Sequence, residues 1–145
     1  MAILNYTTQI STDKTIGEIQ VMLARAGAQA VLTEFDQGVL SSVSFRIATP
    51  EGLLSFRLPA EIAAVSRILE RDRKVPRKLQ TREQAARVAW RIIKDWLAAQ
   101  LALLETRMVT IDQLFLPYIQ RTDGRTLYEH VKASGFKQLA LPSPS

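Results

Sequence analysis

Two alternating runs, Leu40–Thr49 and Leu54–Leu58, stand either side of Pro50-Glu51-Gly52. Val43, Phe45 and Ile47 alternate with Ser42, Ser44 and Arg46, and Leu54, Phe56 and Leu58 alternate with Ser55 and Arg57. A period of two with a turn signal between the runs predicts a β-hairpin that buries one face and wets the other. Pairing Phe45 with Phe56 sets Ser44 opposite Arg57 and Arg46 opposite Ser55. Both arginines then stand on one open face, diagonal to each other.

The rest of the chain is arranged around this hairpin. Ala30–Asp36 reads as a strand leading into it through the tight turn Gln37-Gly38. Asn5–Ile10 is polar and β-leaning and reads as a first strand. Thr15 with Glu18 has the spacing of a capping box, and the helix it opens ends at Gly27. After Pro59 a helix is expected from Ala60 to Arg73, with Ile62, Val65, Ile68 and Leu69 inward. Thr81 with Gln84 opens a long helix, Arg82 to Glu105, carrying a wide apolar stripe. Trp96 lies in that stripe and is expected in the core, whereas Trp90 falls away from its centre and is expected half exposed. Thr110 with Gln113 and Thr126 with Glu129 repeat the box before two short helices, the second ending at Gly135.

The expected class is α+β: strand, helix, three antiparallel strands and helix, followed by a helical C-terminal half. Residues 1–73 form the sheet part and 74–80 a basic connector around Pro76. Residues 81–136 form a helical part packing back on the sheet, and 137–145 a flexible tail. The breadth of the long helix's apolar stripe also admits pairing with a second copy.

With 47% apolar and 23% charged residues, the composition is that of an ordinary folded chain. There is no cysteine, so disulfides and thiolate metal sites are excluded and a cytoplasmic setting is expected. MAILNYTTQI has no basic region followed by an apolar run, so no signal peptide is expected. No run of some 18 apolar residues predicts a membrane span.

Enzymatic chemistry finds no convergent set. His130 is the only histidine, and no serine sits in a nucleophile elbow. No HExxH, EF-hand, Walker or GxGxxG motif occurs. Glu34 and Asp36 share a strand face, but two acids beside a turn are ordinarily a solvated pair. A non-enzymatic protein without cofactor or metal is the expectation.

The charge is local. The chain carries +5, yet Arg67 to Lys94 alone carries +7, with ten Lys or Arg against Glu70, Asp72 and Glu83. Such a segment attracts phosphates, nucleic acid or acidic protein surfaces. Arg77, Lys78 and Arg82 sit at the start of the long helix, where free backbone N–H groups also favour phosphate. Arg73 and Lys74 precede them, and Arg87 and Arg91 extend the track by a turn each. A small nucleotide, sequestered rather than turned over, is the alternative, held by Arg46 and Arg57 as forks beside Ser44. An adaptor or inhibitor docking on an acidic host protein is the third reading.

The order helix, three strands, helix from Ile16 to Arg73 resembles a double-stranded-RNA-binding domain in topology alone. Those domains have a lysine-rich start to the second helix, and here that start is Pro59-Ala60-Glu61, so no binding residues carry over. The runs SFRIATPEGLLSFRLPA and EQAARVAWRIIKDWLAAQLALLE, with GRTLYEHV, resemble a set of small hypothetical proteins of phage and prophage regions. The resemblance covers most of the chain. It implies a phage accessory role, in replication or in countering host defence, and nothing about particular residues.

Overall fold

The computed structural model describes residues 3–143. Helix α1 (Thr12–Arg25) is followed by strands β1 (Ala30–Asp36), β2 (Val39–Thr49) and β3 (Gly52–Arg57), then by helix α2 (Ile62–Arg71). A single 3-10 turn at Arg77–Leu79 leads into the long helix α3 (Arg82–Glu105). Two short helices, α4 (Ile111–Phe115) and α5 (Leu127–Ala133), complete the chain, with a 3-10 turn at Leu116–Tyr118 after α4. The fold is α+β, with one antiparallel sheet in the order β1-β2-β3.

The hairpin register is the expected one: Phe45 faces Phe56, Ser44 faces Arg57 and Arg46 faces Ser55. The β1–β2 turn places Gln37 at φ 50° and Gly38 at φ 79°, the paired left-handed conformations that match strand twist in a two-residue hairpin. A register shift between Glu34 and Phe35, which face Ser42 and Leu40, leaves Ser41 as the extra residue. It changes the parity of β2, which is why Leu40 and Val43 are both buried although three positions apart.

Asn5–Ile10 is not a strand. Asn5 takes φ 65° and its carbonyl accepts from Thr8 N–H in a tight turn. The carbonyls of Tyr6 and Thr8 both accept from the Gln84 side chain (2.9 and 3.1 Å). A buried glutamine thus meets the backbone needs that a sheet partner would otherwise meet. It also leaves only half of the capping box expected at Thr81. Thr81 Oγ1 accepts from Gln84 N–H at 3.1 Å, but the Gln84 amide faces the N-terminal segment instead of reaching back. The boxes at Thr110–Gln113 and Thr126–Glu129 are reciprocal.

Helix α1 starts three residues before the expected cap. Ser11 is its N-cap, and Thr15 is fully buried within it. Helix α2 is shorter than expected, Ile62–Arg71, and Ile68 is 45% exposed instead of inward. Beyond α5, turns continue to Ala140, whose N–H bonds Phe136 O; of the expected 137–145 tail, residues 144–145 lie outside the described residues.

Helix α3 packs over the sheet between α1 and α2. Contact on three sides explains why its stripe is wide, and why Trp90 is buried instead of half exposed. The Trp90 indole N–H donates to Leu40 O at 2.9 Å, so its one polar atom is satisfied in the core. Trp96 is only partly buried and packs edge-on against Phe115 and Tyr118. Phe45 and Phe56 stack at 5.1 Å, and Phe115 meets both edge-on. The sheet and the helical half therefore share one core. Among the described residues no helix is long and apolar enough to cross a membrane.

Candidate functional site

The basic segment divides in two once its partners are known. Four of its ten cations are engaged. The Arg82 guanidinium bonds Gln37 Oε1 at 2.8 Å, Asp36 O at 3.2 Å and Asp36 Oδ2 at 3.0 Å, tying α3 to the β1–β2 turn. Arg87 Nε donates to Gln84 Oε1 at 2.8 Å. Arg91 Nη1 lies 2.6 Å from Glu18 Oε2 with its side chain only 13% exposed, joining α3 to α1. Thr15 and Glu18, three residues apart on one face of α1, thus meet an arginine instead of capping a helix. Lys94 lies 3.7 Å from Asp95.

The other six, Arg67, Arg71, Arg73, Lys74, Arg77 and Lys78, are exposed. Among the described residues none of their side chains has an ion pair or hydrogen bond. The backbone that carries the last four of them is anchored. Val75 is 3% exposed and packs with Leu69 and Ala85 in a second small core. Lys74 N–H donates to Asp72 Oδ1, Gln80 Nε2 to Val75 O, and Leu79 N–H to Pro76 O. The cations therefore project from a held loop, which lowers the ordering cost of binding.

The start of α3 adds less than its sequence suggests. Thr81 already caps Gln84, Glu83 stands in the first turn and Arg82 is turned toward Asp36. A groove of about 450 Å³ runs along α2 toward Asp36 and Arg82, but it sets Asp36, Glu61 and Glu70 against Arg67 and Arg82. A polyanion fits the connector's outer surface better than this groove.

The Ser/Arg face does not converge on one ligand. Ser44, Arg46, Ser55 and Gln120 line a cleft of about 300 Å³. Arg57, by contrast, forms an ion pair with Glu129 and approaches Gly124 O, so it fastens α5 to β3. Its neighbours Ser55 and Gln120 bond each other at 2.9 Å, and Gln120 N–H donates to Ser55 O. The Thr126 backbone N–H, then the Thr126 hydroxyl and the charge of Arg57, hold the Glu129 carboxyl below its ordinary range. The Arg125 N–H, with the guanidinium groups of Arg121 and Arg125, does the same for Asp123. His130 Nδ1 lies 2.7 Å from Arg121 Nη1.

No protein-family model, curated protein or solved structure matches this chain. Among the described residues no group of three or more His, Cys, Asp or Glu is placed to hold a metal ion, and Asp36 is engaged by Arg82. Sequence reasoning located the connector but could not separate its free cations from the structural ones, because Glu18, Asp36 and Gln84 are brought to them only by the fold. Arg67 and Arg71 were missed as members of the free set; their exposure on the last turns of α2, facing away from Leu69, was the available signal.

Proposed function

We propose that the protein binds a phosphate-bearing polymer, nucleic acid, through the basic surface formed by the end of α2 and the connector, Arg67 to Lys78. The observation that carries this reading is the set of six exposed cations without partners among the described residues, two on the end of α2 and four on the loop pinned by Val75. Lys and Arg neutralise phosphates and release counterions, so such binding is salt-dependent and largely indifferent to sequence. Arg73, Lys74, Arg77 and Lys78 make the contacts; Arg82, Arg87 and Arg91 support the scaffold that presents them. The role is non-enzymatic, and the resemblance to phage proteins assigns it to a phage accessory protein in the host cytoplasm. Sequestering of a small nucleotide is less well supported, since Glu129 holds Arg57 away from Arg46.

Fluorescence anisotropy with short labelled duplexes and single strands over a salt series tests the proposal. Changing Arg73, Arg77 and Lys78 to alanine is expected to flatten the log–log salt slope by about 0.9 for each duplex phosphate contact removed. Wild-type protein that binds neither probe at low salt, or a triple variant that binds like wild type, overturns it. Stoichiometric capture of a mononucleotide, lost in Arg46→Ala, would favour the sequestering reading instead.

A further inference from the structure

Strand β1 is an edge. The sheet order leaves its outer side without a ladder partner among the described residues, and five of its seven residues are exposed. Which backbone groups face outward follows from the ladder. Leu58 N–H donates to Val43 O, continuing the β2–β3 pairing, so Val43, Phe45 and Ile47 bond toward β3 while Ser44 and Arg46 bond toward β1. Leu32 and Ala30 lie opposite those two. The N–H and C=O groups of Val31, Thr33 and Phe35 therefore point out of the sheet.

We propose that two copies of this chain pair antiparallel through their β1 edges, about a two-fold axis at Thr33, joining two three-stranded sheets into one. This register sets Thr33 against Thr33 and Val31 against Phe35. These pairs match outward-pointing groups on both strands, so each exchanges both hydrogen bonds, and the Leu32–Glu34 and Ala30–Asp36 pairs between them are the non-hydrogen-bonded ones. The side chains agree with the register. Phe35 is 62% exposed, and directly opposite it Val31 of the second copy is within contact distance on the helix-covered face. On the open face Leu32, 59% exposed, is covered by the stem of Glu34.

Charge supports the same axis. The Arg46 side chain has no ion pair or hydrogen bond among the described residues. In the paired sheet its row runs Arg46, Ala30, then Asp36 of the second copy, with only a methyl group between opposite charges. Asp36 is two-thirds exposed and can accept from Arg46 while keeping Arg82. The two Glu34 side chains fall on a diagonal and remain solvated, the one unfavourable neighbour. Of the usual edge guards the strand has no lysine and no proline, and its two charges, Glu34 and Asp36, both stand on the open face. Helix α3, whose stripe is covered within the chain by α1, α2 and the sheet, is not the interface.

The test is sedimentation velocity on the full chain over a concentration series, beside Thr33→Pro and Phe35→Lys. Proline at an outward-facing edge position is compatible with the strand but removes the central donor. The lysine is placed on an already exposed side chain and needs no refolding. Wild type is expected to dimerise reversibly, and each variant to weaken the dimer by at least about tenfold with an unchanged circular dichroism spectrum. Should Thr33→Pro fail to fold, Phe35→Lys decides alone. A wild type that stays monomeric to millimolar concentration, or a dimer unaffected by Phe35→Lys, overturns the proposal. Neither variant touches the basic connector, so this result and the nucleic-acid result are independent.

Discussion

Gln84 and Trp90 show how much one buried polar atom can specify. The Gln84 amide donates to Tyr6 O and Thr8 O and accepts from Arg87, so a single side chain holds the N-terminal segment and positions a cation. Gln84→Leu leaves two carbonyls without donors and is expected to cost about 1–3 kcal/mol. Hydrogen exchange should show residues 3–10 losing protection first. Trp90→Phe keeps most of the packing but orphans Leu40 O, a loss of about 1–3 kcal/mol in urea unfolding. The arginines of α3 should rank by burial. Arg91→Ala, at 13% exposure, is expected to destabilise by about 1–2 kcal/mol, and Arg82→Ala, at 38%, by less than about 1 kcal/mol. Neither Gln84's second role nor Arg91's partner could be read locally. Capping-box spacing is the same whether the side chain turns back to its own helix or across to another segment.

Among the elements, α5 is held to β3 by an ion pair whose carboxylate has a lowered pKa. Glu129 completes the cap at Thr126 and pairs with Arg57, and both interactions favour its charged form. Its folded pKa is therefore lowered. The stabilisation is complete above the ordinary value of 4.5 and is lost as the pH falls through the folded value. Acidification is thus expected to release α5 from β3 before the core unfolds, seen as early loss of amide protection in Leu127–Ala133. Glu129→Gln should remove that acid transition; an α5 that loosens in acid equally in both proteins would refute the assignment. Element boundaries were largely legible because caps and alternation act within a few residues. The start of α3 at Arg82 and the Phe45–Phe56 register both follow from such signals. The exceptions are informative. Asn5–Ile10 has strand-like composition but no strand to pair with, and α1 is capped by Ser11, which leaves Thr15 buried inside the helix beside Arg91.

At the scale of the whole molecule, the sheet part and the helical part share the cluster of Phe45, Phe56 and Phe115. Unfolding is accordingly expected to be a single transition, with tryptophan fluorescence and far-ultraviolet circular dichroism coinciding. Two separated transitions would show that the halves are independent. The free cations sit outside this core, so Arg73, Arg77 and Lys78 to alanine should leave the melting temperature almost unchanged while weakening the proposed nucleic-acid binding. By itself the sequence determined the hairpin and its register, the limits of the long helix, the α+β class and the place where positive charge concentrates. All of these arise from residues close in the chain. Only the tertiary structure decided which arginines are structural and which are free, how deeply Trp90 is buried and which strand is left as an edge. Those outcomes depend on distant segments crossing: Glu18 meets Arg91, Asp36 meets Arg82 and Glu129 meets Arg57. Charge is a property of each residue, but its availability to a partner is a property of the neighbours that folding brings to it.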